Sequence, residues 1–60
     1  MTDKFHIPTS EEIKKARKES GKTQWDLAHL TGISQSMIAR IETGTVDPKT
    51  STMKKLIAAL

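Results

Sequence analysis

The chain has 60 residues, 35% of them apolar and none of them cysteine, so it can build one small core without disulfides, thiolate zinc sites or iron–sulfur clusters. No apolar stretch approaches the roughly 20 residues of a membrane span, and the first five residues do not resemble a signal peptide, so a cytoplasmic location is expected. Ten basic against seven acidic residues give a net charge of +3, which is a weak indication of nucleic-acid contact.

Residues 1–8 carry no periodic pattern and are predicted to form an N-terminal arm ahead of a domain over residues 9–60. Thr9 opens the first predicted helix with a capping box, because a glutamate stands three residues later. This helix is expected to run to about Ser20, since Gly21 suits the left-handed residue that ends a helix.

Two further helices are predicted to follow in close succession. Thr23 opens the second with an acidic residue three positions on, and Gly32 ends it. Ser34 caps the third, and Gly44 ends it. Three apolar residues lie at helical spacing in the third helix and indicate a packed face: Met37, Ile38 and Ile41.

A loop from Thr45 to Lys49 leads to a fourth predicted helix, capped by Thr50 or Ser51. Its apolar residues keep the spacing of one helical stripe: Met53, Leu56, Ile57 and Leu60. No stretch alternates with the period of a strand. The prediction is therefore an all-α fold of four short helices.

Residues 24–43 have the pattern of a helix-turn-helix motif. Two helices of about eight residues flank a short turn at Gly32, where a positive φ costs glycine little. Ala28 supplies the small side chain that a steep helix crossing needs, and Ile33 starts the apolar wedge between the helices. In such motifs the second helix lies in the major groove of DNA, which predicts residues 34–43 as the recognition helix.

The chain resembles the helix-turn-helix domain of phage lambdoid repressors, Cro proteins and the Xre group of regulators. The matching residues run from Ile13 to Leu60, and the stretch SQSMIARIETGTVDP particularly resembles archaeal regulators that join this domain to CBS ligand-sensing domains. The resemblance implies a lambda-repressor-like bundle whose usual fifth helix is absent here. Leu56, Ile57 and Leu60 are then expected to be incompletely covered, so that a second copy or a C-terminal segment missing from this chain covers them.

Base readout is predicted from the outward face of the third helix, because Ile38 and Ile41 must face inward. Glutamine can pair with adenine and arginine with guanine, while serine is permissive and an alanine can meet a thymine methyl. The alternative is a solvated polar face. The predicted base-reading residues are Gln35, Ser36, Ala39 and Arg40.

The resemblance also implies which residues contact the DNA backbone and which stabilise the fold. In the family, the residue at the position of Gln24 contacts a phosphate and buttresses the recognition helix, and the loop after the third helix grips the DNA backbone. The predicted phosphate-contacting residues here, which include the caps of the second and third helices, are Thr23, Gln24, Ser34, Thr43 and Lys49. Arg17 and Glu42 match positions that form a structural ion pair between the first and third helices. Trp25 is expected either to rest against the DNA backbone or to be half-buried.

The predicted function is sequence-specific binding of double-stranded DNA within a transcriptional regulator, as a two-fold dimer on a palindromic site. The alternative is a protein-interaction module, since domains of this family also serve as antitoxins and coactivators. No catalytic set appears, so no enzymatic activity and no cofactor are expected. His6 and His29 lack a third ligand at useful spacing, so no metal site is expected either.

Overall fold

The computed structural model describes residues 9–60, which fold into four α-helices. These are α1 (Ser10–Glu19), α2 (Gln24–Thr31), α3 (Gln35–Thr43) and α4 (Thr50–Ala59). No strand occurs within this range. The predicted all-α fold is confirmed, whereas the predicted arm over residues 1–8 lies outside the described residues.

Helix α1 begins with the capping box that the sequence predicts, and α2 begins at the predicted Thr23 with a capping box of the same kind. At α1 the Thr9 hydroxyl accepts a hydrogen bond from the Glu12 amide at 3.2 Å, and the Glu12 carboxylate accepts from the Thr9 amide at 2.8 Å. At α2 the Thr23 hydroxyl accepts from the Asp26 amide at 3.0 Å, and the Asp26 carboxylate accepts in return at 2.9 Å. Each box satisfies two donors that the helix start would otherwise leave unpaired.

The start of α4 differs from the prediction that Thr50 or Ser51 caps it. Lys49 is the N-cap, and no side chain caps this helix. The Lys49 backbone is extended, with φ −66° and ψ 159°, and its carbonyl already accepts from the Met53 amide at 2.9 Å. Thr50 and Ser51 therefore lie inside the first turn, because the backbone leaves the extended region directly after Lys49.

Five apolar side chains form the core, and each is at most 2% exposed: Ile13, Leu27, Ile38, Ile41 and Leu56. They come from all four helices. Helix α3 packs against α1 and α2, and α4 packs against α2, so α3 is held along its inward face. Burying one such side chain contributes roughly 1.5–3 kcal/mol, which makes these contacts the main stabilising term for the bundle.

Met37 departs from the predicted apolar face of α3, and three residues of α4 test the prediction of incomplete cover. Met37 is 38% exposed, because it precedes Ile38 by one helical step and falls at the margin of the packed face. Leu56 was predicted to be incompletely covered, which is wrong: it is fully buried between α4 and its neighbours. Ile57 is 47% exposed and Leu60 is partly buried, so the prediction of incomplete cover agrees with the structure only for these two.

Candidate nucleic-acid interface

The turn between α2 and α3 fixes how the two helices meet. Gly32 has φ 76°, and its amide donates to the Ala28 carbonyl at 2.9 Å, which closes α2. The Thr31 hydroxyl donates to the Leu27 carbonyl at 2.7 Å and accepts from the Ile33 amide at 3.1 Å. This side chain therefore ties the turn to the last turn of α2. Ile33 packs against the core, so α3 leaves the turn at a fixed angle.

Helix α3 has one buried face and one accessible face. Ile38 and Ile41 are 0% and 2% exposed and pack inward. All four predicted base-reading residues lie outside the core: Ser36 and Arg40 are exposed, and Gln35 and Ala39 are partly buried. Their spacing of one and four residues places them on neighbouring parts of one helix surface.

The predicted phosphate-contacting residues lie at helix starts and in the loop after α3. Thr23 and Ser34 are the N-caps of α2 and α3, and both are exposed. In both caps the hydroxyl oxygen accepts from a backbone amide, at 3.0 Å for Thr23 and 3.2 Å for Ser34. The cap does not use the hydroxyl proton, which can be donated to a phosphate oxygen. The adjoining helix N-termini also favour an anion.

Thr43 and Lys49 are exposed at either end of the loop between α3 and α4. The Thr43 hydroxyl donates to the Arg40 carbonyl at 3.1 Å, and the Thr45 hydroxyl donates to the same carbonyl at 3.2 Å. Thr43 can therefore donate to a phosphate only after a rotation that breaks this bond. The Lys49 ammonium needs no such rotation, so Lys49 is a stronger candidate for a phosphate contact than Thr43.

Arg17 and Glu42 lie in contact between α1 and α3, where the resemblance pairs them. The Arg17 Nε atom donates to Glu42 Oε2 at 2.6 Å, and Nη2 donates to Oε1 at 3.0 Å, so the pair is bidentate. Both residues are buried, at 8% and 6% exposure. Arg17 Nη1 donates to the Lys22 carbonyl at 2.8 Å and so connects α3 to the turn between α1 and α2.

The environment of this pair keeps both groups charged. Burial opposes ionisation of Glu42, but hydrogen bonds from Arg17 and Gln24, together with the Arg17 charge, outweigh burial and lower the pKa of the carboxyl. The hydrogen bond from Arg17 to Glu42 raises the pKa of the guanidinium against the opposing effect of burial. Glu42 is therefore a carboxylate that only accepts hydrogen bonds.

Two glutamines extend the ion pair towards the accessible face of α3. Gln24 Nε2 donates to Glu42 Oε1 at 3.0 Å, and Gln35 Nε2 donates to Gln24 Oε1 at 2.6 Å. We call the set Arg17, Glu42, Gln24 and Gln35 the polar relay. From the sequence, the ion pair and the two glutamines are predicted as separate features, although the resemblance implies that Gln24 buttresses the recognition helix. Their connection depends on how α1, α2 and α3 meet, for which spacing along the chain gives no signal.

Trp25 and Leu30 are the most exposed large apolar side chains of α2, at 71% and 58%. The alternative of a half-buried Trp25 is therefore wrong. Trp25 is the only tryptophan of the chain and stands next to Gln24 in the first turn of α2. It is a built-in fluorescence probe of anything that approaches this end of the helix.

Residues 9–60 contain no helix long and apolar enough to cross a membrane. Within the same range, no group of three or more His, Asp or Glu side chains is placed to hold a metal ion. His6, the other histidine considered from the sequence, lies outside the described residues.

Four helices, a glycine turn between α2 and α3, and an accessible polar face on α3 define a helix-turn-helix protein. The sequence profile of the helix-turn-helix family matches residues 13–60, and the chain belongs to that family, of the Xre and phage-repressor type. It is 42% identical over 56 residues to an uncharacterized HTH-type transcriptional regulator of Haemophilus influenzae. The alignment covers 93% of this chain but only 57% of that relative. No solved structure matches the chain.

Proposed function

We propose that this chain is a double-stranded DNA-binding domain of a transcriptional regulator and that it reads its site with α3 in the major groove. One observation carries the proposal: Ile38 and Ile41 hold α3 on the core, while Gln35, Ser36 and Arg40 lie on the side that the core leaves accessible. Family membership and the name of the Haemophilus relative support it. A B-DNA major groove admits an α-helix presented in this way.

The proposed interface divides into base contacts and backbone contacts. Gln35 and Ser36 lie in the first turn of α3, which is where recognition helices meet base edges. Arg40 lies one turn later and reaches a guanine or a phosphate, and Ala39 offers a methyl contact to thymine. Phosphates are held by the start of α2, the start of α3 and the following loop, through Thr23, Gln24, Ser34, Thr43 and Lys49.

A single α3 contacts too few bases to select a site, so we propose that the protein binds as a two-fold dimer to a palindromic site. Ile57 is 47% exposed on α4, and Leu60 is only partly covered. These residues are the proposed contact for a second copy or for a C-terminal segment. The narrower likeness to archaeal regulators with CBS domains also stays a prediction.

The function is tested by selecting bound duplexes from a random pool and titrating the best one and a scrambled version at several salt concentrations. Binding is followed by Trp25 fluorescence and by the anisotropy of a labelled duplex. Gln35→Ala should cost about 1–3 kcal/mol on the selected duplex and little on the scrambled one. Lys49→Ala should weaken both duplexes alike and reduce the salt slope by about one phosphate contact.

Lys15→Ala is the matched control for Lys49→Ala, because Lys15 is an exposed lysine of α1 outside the helix-turn-helix motif. It should leave the salt slope nearly unchanged. Equal losses for Gln35→Ala on both duplexes would remove Gln35 from base readout. A parent protein that binds no duplex at low salt would refute the DNA-binding proposal.

The second candidate function is a protein-interaction module of the antitoxin or coactivator kind. The exposure of Trp25, Leu30 and Ile57 favours it, since large exposed apolar side chains are the usual anchors of a protein interface. Salt separates the two functions: DNA affinity falls steeply as salt rises, whereas an apolar protein interface responds little.

A further inference from the structure

Trp25 is the most exposed large apolar side chain within residues 9–60, at 71%. We propose that its indole ring packs against the sugar–phosphate backbone of DNA beside the major groove, and so adds affinity through a contact that carries no charge. This inference rests on the proposed function, because the ligand is the same duplex that α3 reads. It adds a contact on α2 to the proposed base-reading and phosphate-contacting residues.

The position of Trp25 on α2 places the ring at the border of the proposed interface. Gln24, the residue before it, accepts a hydrogen bond from Gln35 at 2.6 Å, so the start of α2 adjoins the start of α3. Leu27, two residues after Trp25, is fully buried. A helix turns about 100° per residue, so Trp25 lies about 160° from Leu27 and about 100° from Gln24 around the axis. The ring therefore lies on the outward side of α2, beside the side that meets α3, where a duplex that receives α3 brings the wall of its groove.

The indole group matches the chemistry of a nucleic-acid backbone. Its ring is apolar, and its Nε1–H can only donate a hydrogen bond. The part of the chain that the structure describes offers this N–H no acceptor, so the donor is available to a ligand. A DNA backbone presents sugar carbons next to phosphate oxygens that accept hydrogen bonds. One deoxyribose can therefore cover the ring while the neighbouring phosphate accepts from Nε1.

Trp25 does not belong to a continuous apolar patch of α2. Leu30, the other large exposed apolar side chain of this helix, lies five residues further on. Five steps turn the helix by about 140° beyond one full turn, so the two side chains point in different directions. The anchors of a protein interface are enclosed by further contacts that exclude water. An isolated exposed tryptophan lacks that surrounding on its own helix.

The polar neighbours of Trp25 favour an anionic partner. His29 lies one helical turn after Trp25 and is exposed, and Lys22 directly precedes the N-cap of α2. A lysine charge and an imidazole N–H donor both suit phosphates. The acidic neighbour Asp26 already accepts a hydrogen bond from the backbone of the N-cap at 2.9 Å. The surroundings of the ring therefore fit the backbone of a polyanion better than an apolar protein surface.

The emission of Trp25 tests the contact directly, because it is the only tryptophan of the chain. The protein is titrated with the duplex selected from the random pool and with its scrambled version. Binding of either duplex should change the emission spectrum and reduce the quenching of Trp25 by acrylamide, since the backbone covers the ring whatever the base sequence. A ring that stays as accessible to acrylamide in the complex as in the free protein would contradict the proposal.

Three variants separate the two parts of the contact, with affinity measured by the anisotropy of a labelled duplex. Trp25→Ala should weaken both duplexes by about tenfold and leave the salt slope unchanged, because the indole displaces no counterion. Trp25→Phe keeps an aromatic ring but has no N–H, so its loss should be smaller. Leu30→Ala is the matched control, since it removes an exposed apolar side chain from the other end of α2 and should leave both affinities unchanged. All three should keep the urea midpoint of the parent, because both side chains are exposed.

A set of duplexes that each carry one methylphosphonate in place of a phosphate locates the partner of Nε1. At one phosphate beside the site, the replacement should weaken the parent and have little effect on Trp25→Phe. If the parent binds the selected duplex but Trp25→Ala binds it as tightly as Leu30→Ala does, the contact is refuted and the proposed function stands. If sedimentation without DNA shows a parent that self-associates and a Trp25→Ala protein that does not, Trp25 belongs to a protein interface and the proposal is overturned. If the parent binds no duplex, the proposed function is refuted and the role of Trp25 with it.

Discussion

Glu42→Ala should unfold the domain or nearly so. The Glu42 carboxylate accepts three hydrogen bonds, two from Arg17 at 2.6 Å and 3.0 Å and one from Gln24 at 3.0 Å. The substitution leaves those donors without their acceptor. Arg17 cannot release its charge, and at 8% exposure it has little contact with water to replace the lost acceptor.

The magnitude follows from that geometry. Removing one member of a buried ion pair costs roughly 3–5 kcal/mol, because the remaining charge stays buried without a partner. At about 0.05–0.15 kcal/mol per residue, a chain of 60 residues has a total stability of about 3–9 kcal/mol. The loss is therefore comparable with the whole free energy of unfolding.

Urea unfolding followed by far-ultraviolet circular dichroism measures the change. Glu19→Ala is the matched control, since Glu19 is an exposed glutamate at the end of α1, and its loss should stay within about 0.5 kcal/mol. Arg17→Met combined with Glu42→Leu should recover much of the stability by removing both charges. A Glu42→Ala protein with the same urea midpoint as Glu19→Ala would refute the stabilising role of the pair.

Two further predictions concern the titration of the domain and its packing. The pKa of Glu42 is lowered in the folded state, so its contribution to stability is complete above the ordinary value of 4.5 and is lost as the pH falls through the folded pKa. Thermal melts between about pH 3 and pH 7 should show that loss in the parent and a smaller one in the Arg17→Met, Glu42→Leu double variant; identical acid profiles would contradict it. Ile38→Ala should cost about 2–5 kcal/mol because Ile38 is fully buried, whereas Ile57→Ala, at 47% exposure, should cost much less in the same urea titration. Comparable losses of stability at the two positions would mean that Ile38 and Ile57 are wrongly assigned to the core and to the surface.

Helix starts and ends were predictable where the signal is local. A hydroxyl at Thr9, Thr23 or Ser34 satisfies an amide donor three residues further on, so the sequence contains the whole interaction. The start of α4 was predicted wrongly because two adjacent threonine and serine residues suggested a cap that the backbone does not use. Lys49 occupies the cap position through its φ and ψ alone.

The helical period of the sequence predicted which residues lie at the centre of each face of α3, but it did not predict the exposure of residues at the margins between the two faces. Ile38 and Ile41 were placed correctly, since they lie three residues apart at the centre of the packed face. Met37 and Gln35 lie where the face ends, and there the neighbouring helix decides the exposure. Gln35 is partly buried because Gln24 approaches it from α2, a contact between residues 11 positions apart.

The four residues of the polar relay could be singled out from the sequence, but the hydrogen bonds that connect the ion pair to the two glutamines could not be predicted from it. Each member has a residue type that suits its role, and the resemblance alone pairs Arg17 with Glu42. Whether an amide from α2 completes that pair depends on the crossing of α2 over α3, which Gly32 and Ile33 set at the turn. One Glu42 oxygen accepts hydrogen bonds both from Arg17, which joins α1 to α3, and from Gln24, which in turn accepts one from Gln35. Glu42→Ala therefore removes the acceptor of Arg17 and of Gln24 together, whereas Gln24→Met removes only the hydrogen bond from α2 to Glu42 and leaves the ion pair in place.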